Sequence, residues 1–266
     1  MARKNASTPP RNLPETSPAA RGVLDLPQAD LGLGPVPRRE GSGTLFVVGT
    51  PIGNLEDITL RALRTLREVG LVAAEDTRSA RVLLRHFEIT TSVTSFHDFT
   101  GPGKTQRLVE RLLQGEDVAL ISEAGMPAIS DPGFPLVRDA LAAGCPVTCV
   151  PGPSAILSAL VLASLPTHAF HYVGFLPRKG GERRHVLAQL ATEPDTIVCF
   201  ESPHRLVATL GDILATFGPD RRMAAARELT KLFEEIVRGT TTEVVEHFAQ
   251  HPPRGELTLV IAGADA

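Results

Sequence analysis

From residue 44 onward, short apolar runs alternate with longer amphipathic stretches, and the junctions between them are rich in Gly and Pro. Leu45–Val48 enters the turn Gly49-Thr50-Pro51-Ile52-Gly53-Asn54, after which Leu60, Leu63, Leu66 and Val69 recur at helical spacing. This reads as strand, Gly-rich turn, helix. The unit repeats with Val72-Ala73-Ala74 before the polar Glu75-Asp76-Thr77-Arg78 and a helix over 79–86, and a helix over 104–113 precedes the apolar run Val118–Ile121. Such alternation predicts a mostly parallel sheet with helices on both faces. The rhythm breaks over 162–171, at Pro166, and a second set begins at Tyr172. It holds strands over 172–175, 196–200, 223–226 and 257–262, with helices starting near Arg183 and Pro203. The pattern divides the chain into two α/β domains, 43–166 and 167–266.

Two junctions stand out. Residues 122–133 (SEAGMPAISDPG) follow the run Val118–Ile121, and residues 150–155 (VPGPSA) follow another short apolar strand. Small, turn-forming residues leave backbone bare at the carboxyl end of a sheet, where open α/β folds bind ligands. Two such loops predict one cleft.

Residues 1–42 have a different composition. Seven prolines and few large apolar residues predict a disordered tail, because the segment cannot bury enough surface to offset its ordering entropy. The tail carries six basic and four acidic residues, so the formal charge of −3 for the whole chain becomes −5 over the rest. Bulk charge therefore does not mark a nucleic-acid binder, and such a role must rest on local patches. With 42% hydrophobic and 21% charged residues the composition is that of a globular protein. No apolar run reaches the roughly 18 residues of a membrane span and no apolar leader opens the chain, which predicts a cytoplasmic location. Cys145, Cys149 and Cys199 lie in apolar segments and read as buried thiols, with no metal site expected.

Other motifs are weaker. Gly101-Pro102-Gly103-Lys104-Thr105 imitates the end of a phosphate-binding loop, but Asp98 stands where its first Gly belongs. The turn at Gly49 lacks the G-x-G-x-x-G spacing of a dinucleotide site. His97, His171 and His204 are scattered, and none pairs with a nucleophile at recognisable spacing.

Eight segments in fixed order carry a resemblance: LFVVGTPIGN (45–54), AEDTR (74–78), SEAGMPAISDPG (122–133), VPGPSA (150–155), FLPRKGG (175–181), FESPHR (200–205), RELTKLFEE (227–235) and GELTLVIAG (255–263). The chain resembles the tetrapyrrole-methylase-like superfamily over about residues 44–263 and, within it, the branch that acts on small-subunit ribosomal RNA. The resemblance implies two α/β domains with S-adenosylmethionine in the cleft between them, usually in a homodimer. It also implies 2′-O-methylation of cytidine 1402 of 16S rRNA, within the 30S subunit. By motif position the cofactor would touch Pro51, Gly125, Met126, Pro127 and Ile129, then Ser154 and Ala155, and from the second domain Phe175, Glu256 and Leu257. Three departures from the family pattern are Glu123 in place of Asp, Met126 in place of Thr, and Asp98-Phe99-Thr100-Gly101 after His97, where an Asn-Glu pair is usual.

A ribose hydroxyl is a weak nucleophile, so a base that takes its proton as the bond forms helps by roughly 10² to 10⁴. Candidates are Glu75, Asp76, Glu201 and Glu234, with Lys231 if burial lowers its pKa. Glu201 is favoured because it follows an apolar strand at the sheet's end, whereas Glu75-Asp76-Thr77 equally suits a helix cap. Candidate RNA contacts are Arg78, Arg81 and Arg85, then Arg178, Lys179, Arg183 and Arg184, and Arg205, since guanidinium forks suit phosphates. Two competing readings are a precorrin-type C-methyltransferase and a non-catalytic RNA-binding module.

Overall fold

Short strands with alternating partners set the first layer. In the computed structural model, which describes residues 40–97, 102–252 and 254–265, strands β1 (Leu45–Val48), β2 (Leu71–Ala74), β3 (Val93–Ser95), β4 (Val118–Ile121) and β5 (Val147–Val150) form one sheet. Its order is β3-β2-β4-β1-β5 and every pairing is parallel. Helices α1 (Leu60–Glu68) and α2 (Thr77–His86) cover one face, packing on Val48, Val72, Ala74, Ala119 and Ile121. Helices α3 (Pro102–Leu113) and α4 (Phe134–Ala142) cover the other, packing on Leu45, Leu71, Ala73, Val118 and Leu120. Because successive side chains point to opposite faces, β2 and β4 are buried at every position. The β1 connection runs over one face and the β4 connection over the other, so these neighbours flank the sheet's topological switch point.

Helix α5 (Ala155–Leu162) leads into a second sheet made of β6 (Phe170–Phe175), β7 (Thr196–Glu201), β8 (Arg222–Arg227), β9 (Glu235–Thr240) and β10 (Leu257–Ile261). The order is β6-β7-β10-β8-β9, and β6–β7 is its one parallel pair. One face packs on α6 (Gly180–Leu190), α7 (Leu206–Phe217) and α8 (Thr241–Gln250), through Leu187, Leu210, Ile213 and Phe248. The other face receives α5, whose Ala159 and Leu160, with the following Ala163, meet Val198, Ala224, Ala226 and Val260. Ile52, from the turn after β1, joins the same cluster. Thus one helix and one turn from the first half are bound into the core of the second sheet.

The parallel prediction holds for the first sheet, and the second, for which the sequence pattern carried no pairing direction, is mixed. Buried on both faces, β7 and β10 carry continuous apolar runs that read alike in either direction, and short connections such as 228–234 suit antiparallel neighbours. The predicted tail lies outside the described residues through position 39, as do Asp98 to Gly101. Cys145 and Cys199 are buried, and burial pushes the Cys199 thiol up to about 12. Cys149 corrects the expectation of three buried thiols: it is exposed, because β5 is an edge strand. No helix among the described residues is long and apolar enough to cross a membrane.

Candidate functional site

Three carboxyl-end loops meet where β4, β1 and β5 lie side by side. Thr50 N donates to Gly125 O at 2.9 Å and Gly125 N returns a bond to Thr50 O at 3.1 Å, which ties the loops after β1 and β4 together. A Cβ on Gly49 would lie 2.8 Å from Gly152 Cα and 2.7 Å from Met126 Sδ, so the loops after β1 and β5 touch backbone to backbone. Gly125 sits at φ +76°, where a side chain is strained. Ala128 and Ser130 take φ of 69° and 61°, and this concentration of strained backbone marks the loop after β4 as held in shape by its surroundings. One of those restraints is Tyr172 of β6, whose hydroxyl lies 2.6 Å from Ser130 Oγ. Burial and the nearby Asp131 and Cys199 raise the Tyr172 pKa against the opposing effect of that bond.

Seven of the ten candidate cofactor residues belong to these loops or to the start of α5, and Phe175 and Leu257, with the adjoining Glu256, belong to the second sheet. Pro51, Gly125 and Pro127 are buried, and Met126 lies against Gly49. Ile129 and Phe175 are exposed, and Phe175 rests on Phe200 with ring centroids 5.5 Å apart. Ser154 caps α5 by accepting from Leu157 N at 3.3 Å, with Ala155 the first helical residue. Leu257 is buried and Glu256 exposed at the start of β10. Sequence reasoning missed Thr50, whose Oγ1 is sealed from solvent without a hydrogen-bond partner. An orphaned buried hydroxyl beside closely packed Gly turns fits a ligand that brings a hydrogen-bonding atom to Thr50 and is otherwise approached by backbone.

The candidate bases separate clearly. Glu201, 1% exposed, accepts from Thr209 Oγ1 at 2.5 Å and Ser202 N at 2.8 Å, and faces Arg205 Nε at 3.4 Å. Its carboxylate is enclosed by its own turn. Lys231 corrects a second expectation. Burial works to lower its pKa, but bonds of 2.9 Å to Glu228 and 3.1 Å to Glu256 outweigh it and hold the ammonium above its ordinary value. Glu228 is pulled the other way: burial raises its pKa, and the bonds from Lys231 and Glu256 N carry it below its ordinary value. Glu234 accepts from Thr230 N at 2.6 Å. The stretch 228–234 is the connection between β8 and β9, and Arg227 pairs with Glu235 across that hairpin at 2.8 Å. Asp76 caps α2, with Oδ1 accepting from Arg78 N at 2.6 Å, and Glu75 Oε2 lies 3.4 Å from Glu123 N in the loop after β4. Both therefore stand one strand away from the Gly-lined cradle.

Among the basic residues, Arg78, Arg81 and Arg85 share the exposed face of α2. Arg81 and Arg85 line an open hollow of about 500 Å³ with Thr90, Thr91 and Ser92. Arg178 is exposed, Lys179 is exposed beside Glu182, and Arg184 is exposed near Asp212. Arg183 corrects a third expectation: it is 6% exposed, with Nε 2.8 Å and Nη2 2.6 Å from Asp212, and presents no face to a polyanion. Arg205 spends Nη2 on the carbonyls of Leu176 and Pro177, at 2.6 and 3.1 Å.

Residues 44–245 match the family described as tetrapyrrole (corrin/porphyrin) methylases. A Thermotoga maritima protein named ribosomal RNA small subunit methyltransferase I is 48% identical over 223 residues, 84% of this chain and 100% of that protein. A Pseudomonas aeruginosa protein of the same name is 49% identical over 227 residues, 85% of this chain and 80% of that protein. In fold, a cobalt precorrin-4 methyltransferase aligns with a TM-score of 0.63 at 19% identity, covering 88% of this chain and 100% of that one. A diphthine synthase aligns at 0.61 and 14% identity, covering 83% and 90%.

Proposed function

The chain belongs to the tetrapyrrole methylase family, and from that premise we propose that it moves a methyl group from S-adenosylmethionine to the ribose 2′-oxygen of a cytidine in 16S rRNA, within the small ribosomal subunit. The observation that carries this reading is the Gly49–Gly125–Gly152 cradle, in a chain that matches the full length of a relative named for rRNA methylation. On this reading 43–166 and 167–266 are two domains with the donor between them, in the cytoplasm and in a homodimer.

Pro51, Gly125, Met126, Pro127 and Ile129 hold the donor from the first sheet, Ser154 and Ala155 from the start of α5, and Phe175, Glu256 and Leu257 from the second sheet. The bound donor supplies a sulfonium methyl, an electrophile open to in-line attack. The chain's main task is then positioning, and fixing two reactants in a near-attack geometry is worth up to about 7–11 kcal/mol. Glu75 and Asp76, on the β2 side of the cradle, take the proton that the ribose hydroxyl loses as the oxygen–carbon bond forms. Glu201 shapes the turn beside Phe200, and Lys231 stays protonated, bracing Glu228 and Glu256 on the donor side. Arg78, Arg81 and Arg85 hold RNA phosphates along α2, with Arg178, Lys179 and Arg184 as a second patch.

The test is labelled-methyl transfer from S-adenosylmethionine to unmethylated 30S subunits, naked 16S rRNA and a tetrapyrrole precursor. Label in the 30S subunit supports the reading. Label in the tetrapyrrole alone replaces it with small-molecule methylation.

A further inference from the structure

The connection 228–234 holds two apolar side chains away from the protein, Leu232 at 89% exposure and Phe233 at 68%. Isolated apolar exposure is ordinary at a surface, but the setting of this pair is not. Glu228 and Thr230 take φ of 51° and 65°, a conformation that side-chain-bearing residues keep only where the surroundings enforce it. Here Glu234 accepts from Thr230 N at 2.6 Å, Thr230 Oγ1 accepts from Asn54 N at 3.1 Å, and Lys231 bridges Glu228 and Glu256. The packing is close, since a Cβ on Gly53 would fall 2.5 Å from Lys231 Cγ. The loop is fixed at its feet and bare at its tip. Its feet stand on the turn after β1, which forms part of the cradle, and on Glu256, which the proposed function assigns to the donor.

We propose that Phe233 is a stacking platform for an unpaired nucleobase of the substrate RNA beside the target ribose. The proposal rests on the reading of the chain as an rRNA methyltransferase. A ribose hydroxyl carries no base edge to read, so the target strand must be held by its phosphates and by bases splayed from their neighbours. Aromatic faces hold such bases with little sequence preference. Aromatic side chains are scarce, with no Trp and one Tyr in the chain, and Phe233 is the most exposed Phe among the described residues. Phe175, at 55% exposure, is less open and packs at a tilt of 57° against Phe200.

Phe233→Ala, Phe233→Leu and Phe233→Trp are compared with the wild-type chain in steady-state methylation of 30S subunits. Donor affinity by calorimetry, melting temperature and solution mass are measured alongside. Stacking lost equally from bound and transition states raises KM and leaves kcat in place. We expect KM for the 30S subunit to rise about tenfold or more in the Ala and Leu variants, with Trp near wild type and the other readouts unchanged. An unchanged KM in Phe233→Ala overturns the proposal, as does equal rescue by Leu and Trp. A change of solution mass also overturns it, since the tip then belongs to a contact with a second copy. A wild-type chain that binds the donor but leaves 30S subunits unmethylated overturns the underlying reading and this proposal with it. A wild-type chain that methylates them no better than Phe233→Ala overturns this proposal alone.

Discussion

Thr209 Oγ1 on α7 donates a 2.5 Å hydrogen bond to Glu201 Oε2 at the end of β7, and both residues are buried. With Ser202 N on the other oxygen, the carboxylate pins the turn that carries Pro203, His204 and Arg205. Thr209→Val leaves a buried carboxylate short of one donor, at a cost of about 1.5–3 kcal/mol. Urea unfolding should show that loss, with the methylation rate at saturating substrates within a few-fold of wild type. A hundredfold fall in kcat at unchanged stability would return Glu201 to the chemistry.

The contact between Gly49 and Gly152 leaves no volume for a side chain. Alanine at either position places a methyl about 2.8–2.9 Å from backbone of the opposite turn, so the two loops must part. Overpacking of this kind costs about 1–3 kcal/mol and moves the cradle wall. Gly152→Ala should weaken S-adenosylmethionine binding at least about tenfold by calorimetry. Gly211→Ala, where an added Cβ meets nothing within 4 Å, should not.

The Glu228–Lys231 pair fixes a pH window. Glu228 is depressed below its ordinary 4.5, so its stabilisation is present above that pH and is lost as pH falls through its lower folded value. Lys231 is raised above its ordinary 10.5, so its stabilisation is present below that pH and is lost as pH rises through its higher folded value. The stability difference between wild type and Lys231→Met, from urea unfolding, should stay constant from about pH 5 to 10 and shrink outside that range. The pH–rate profile of Lys231→Met should keep the wild-type shape, because the ammonium titrates nowhere near neutrality.

Two arginines with the same sequence credentials should behave differently. Arg81→Ala should weaken 30S binding and lower the salt dependence by about one unit of slope, as one phosphate contact is lost. Arg183→Ala leaves the Asp212 carboxylate only the exposed Arg184, 3.4 Å away, and should instead cost on the order of 3 kcal/mol of stability. Filter binding across a salt series and urea unfolding separate the two.

That contrast shows where sequence reading stops. Most strand–turn–helix units of the first sheet were legible because buried parallel strands announce themselves as apolar runs closed by Gly and Pro, whereas the short, half-buried β3 and the helix α4 went unread. β9 and α8 were not read at all: Glu-Ile-Val-Arg-Gly-Thr is half polar, and its burial comes from pairing with β8. Pairing direction in the second sheet leaves no periodic trace. At the site, the Gly-rich loops were visible locally, whereas the burial of Arg183 depends on Asp212, 29 residues away, and the raised pKa of Lys231 depends on Glu256, 25 residues away. Thr50 gave no signal beyond lying between two turn residues, because an orphaned hydroxyl is a property of the packed loops.

Methyl transfer to a ribose oxygen is decided by the identity of the methylated nucleoside. Unmethylated 30S subunits are incubated with the chain and labelled S-adenosylmethionine, the rRNA is digested to nucleosides, and the product is identified by mass spectrometry. The account predicts 2′-O-methylcytidine, and at least about a hundredfold less of it with Asp76→Asn or Glu75→Gln. Label on a base carbon or nitrogen, or none in rRNA despite measurable donor binding, would contradict it.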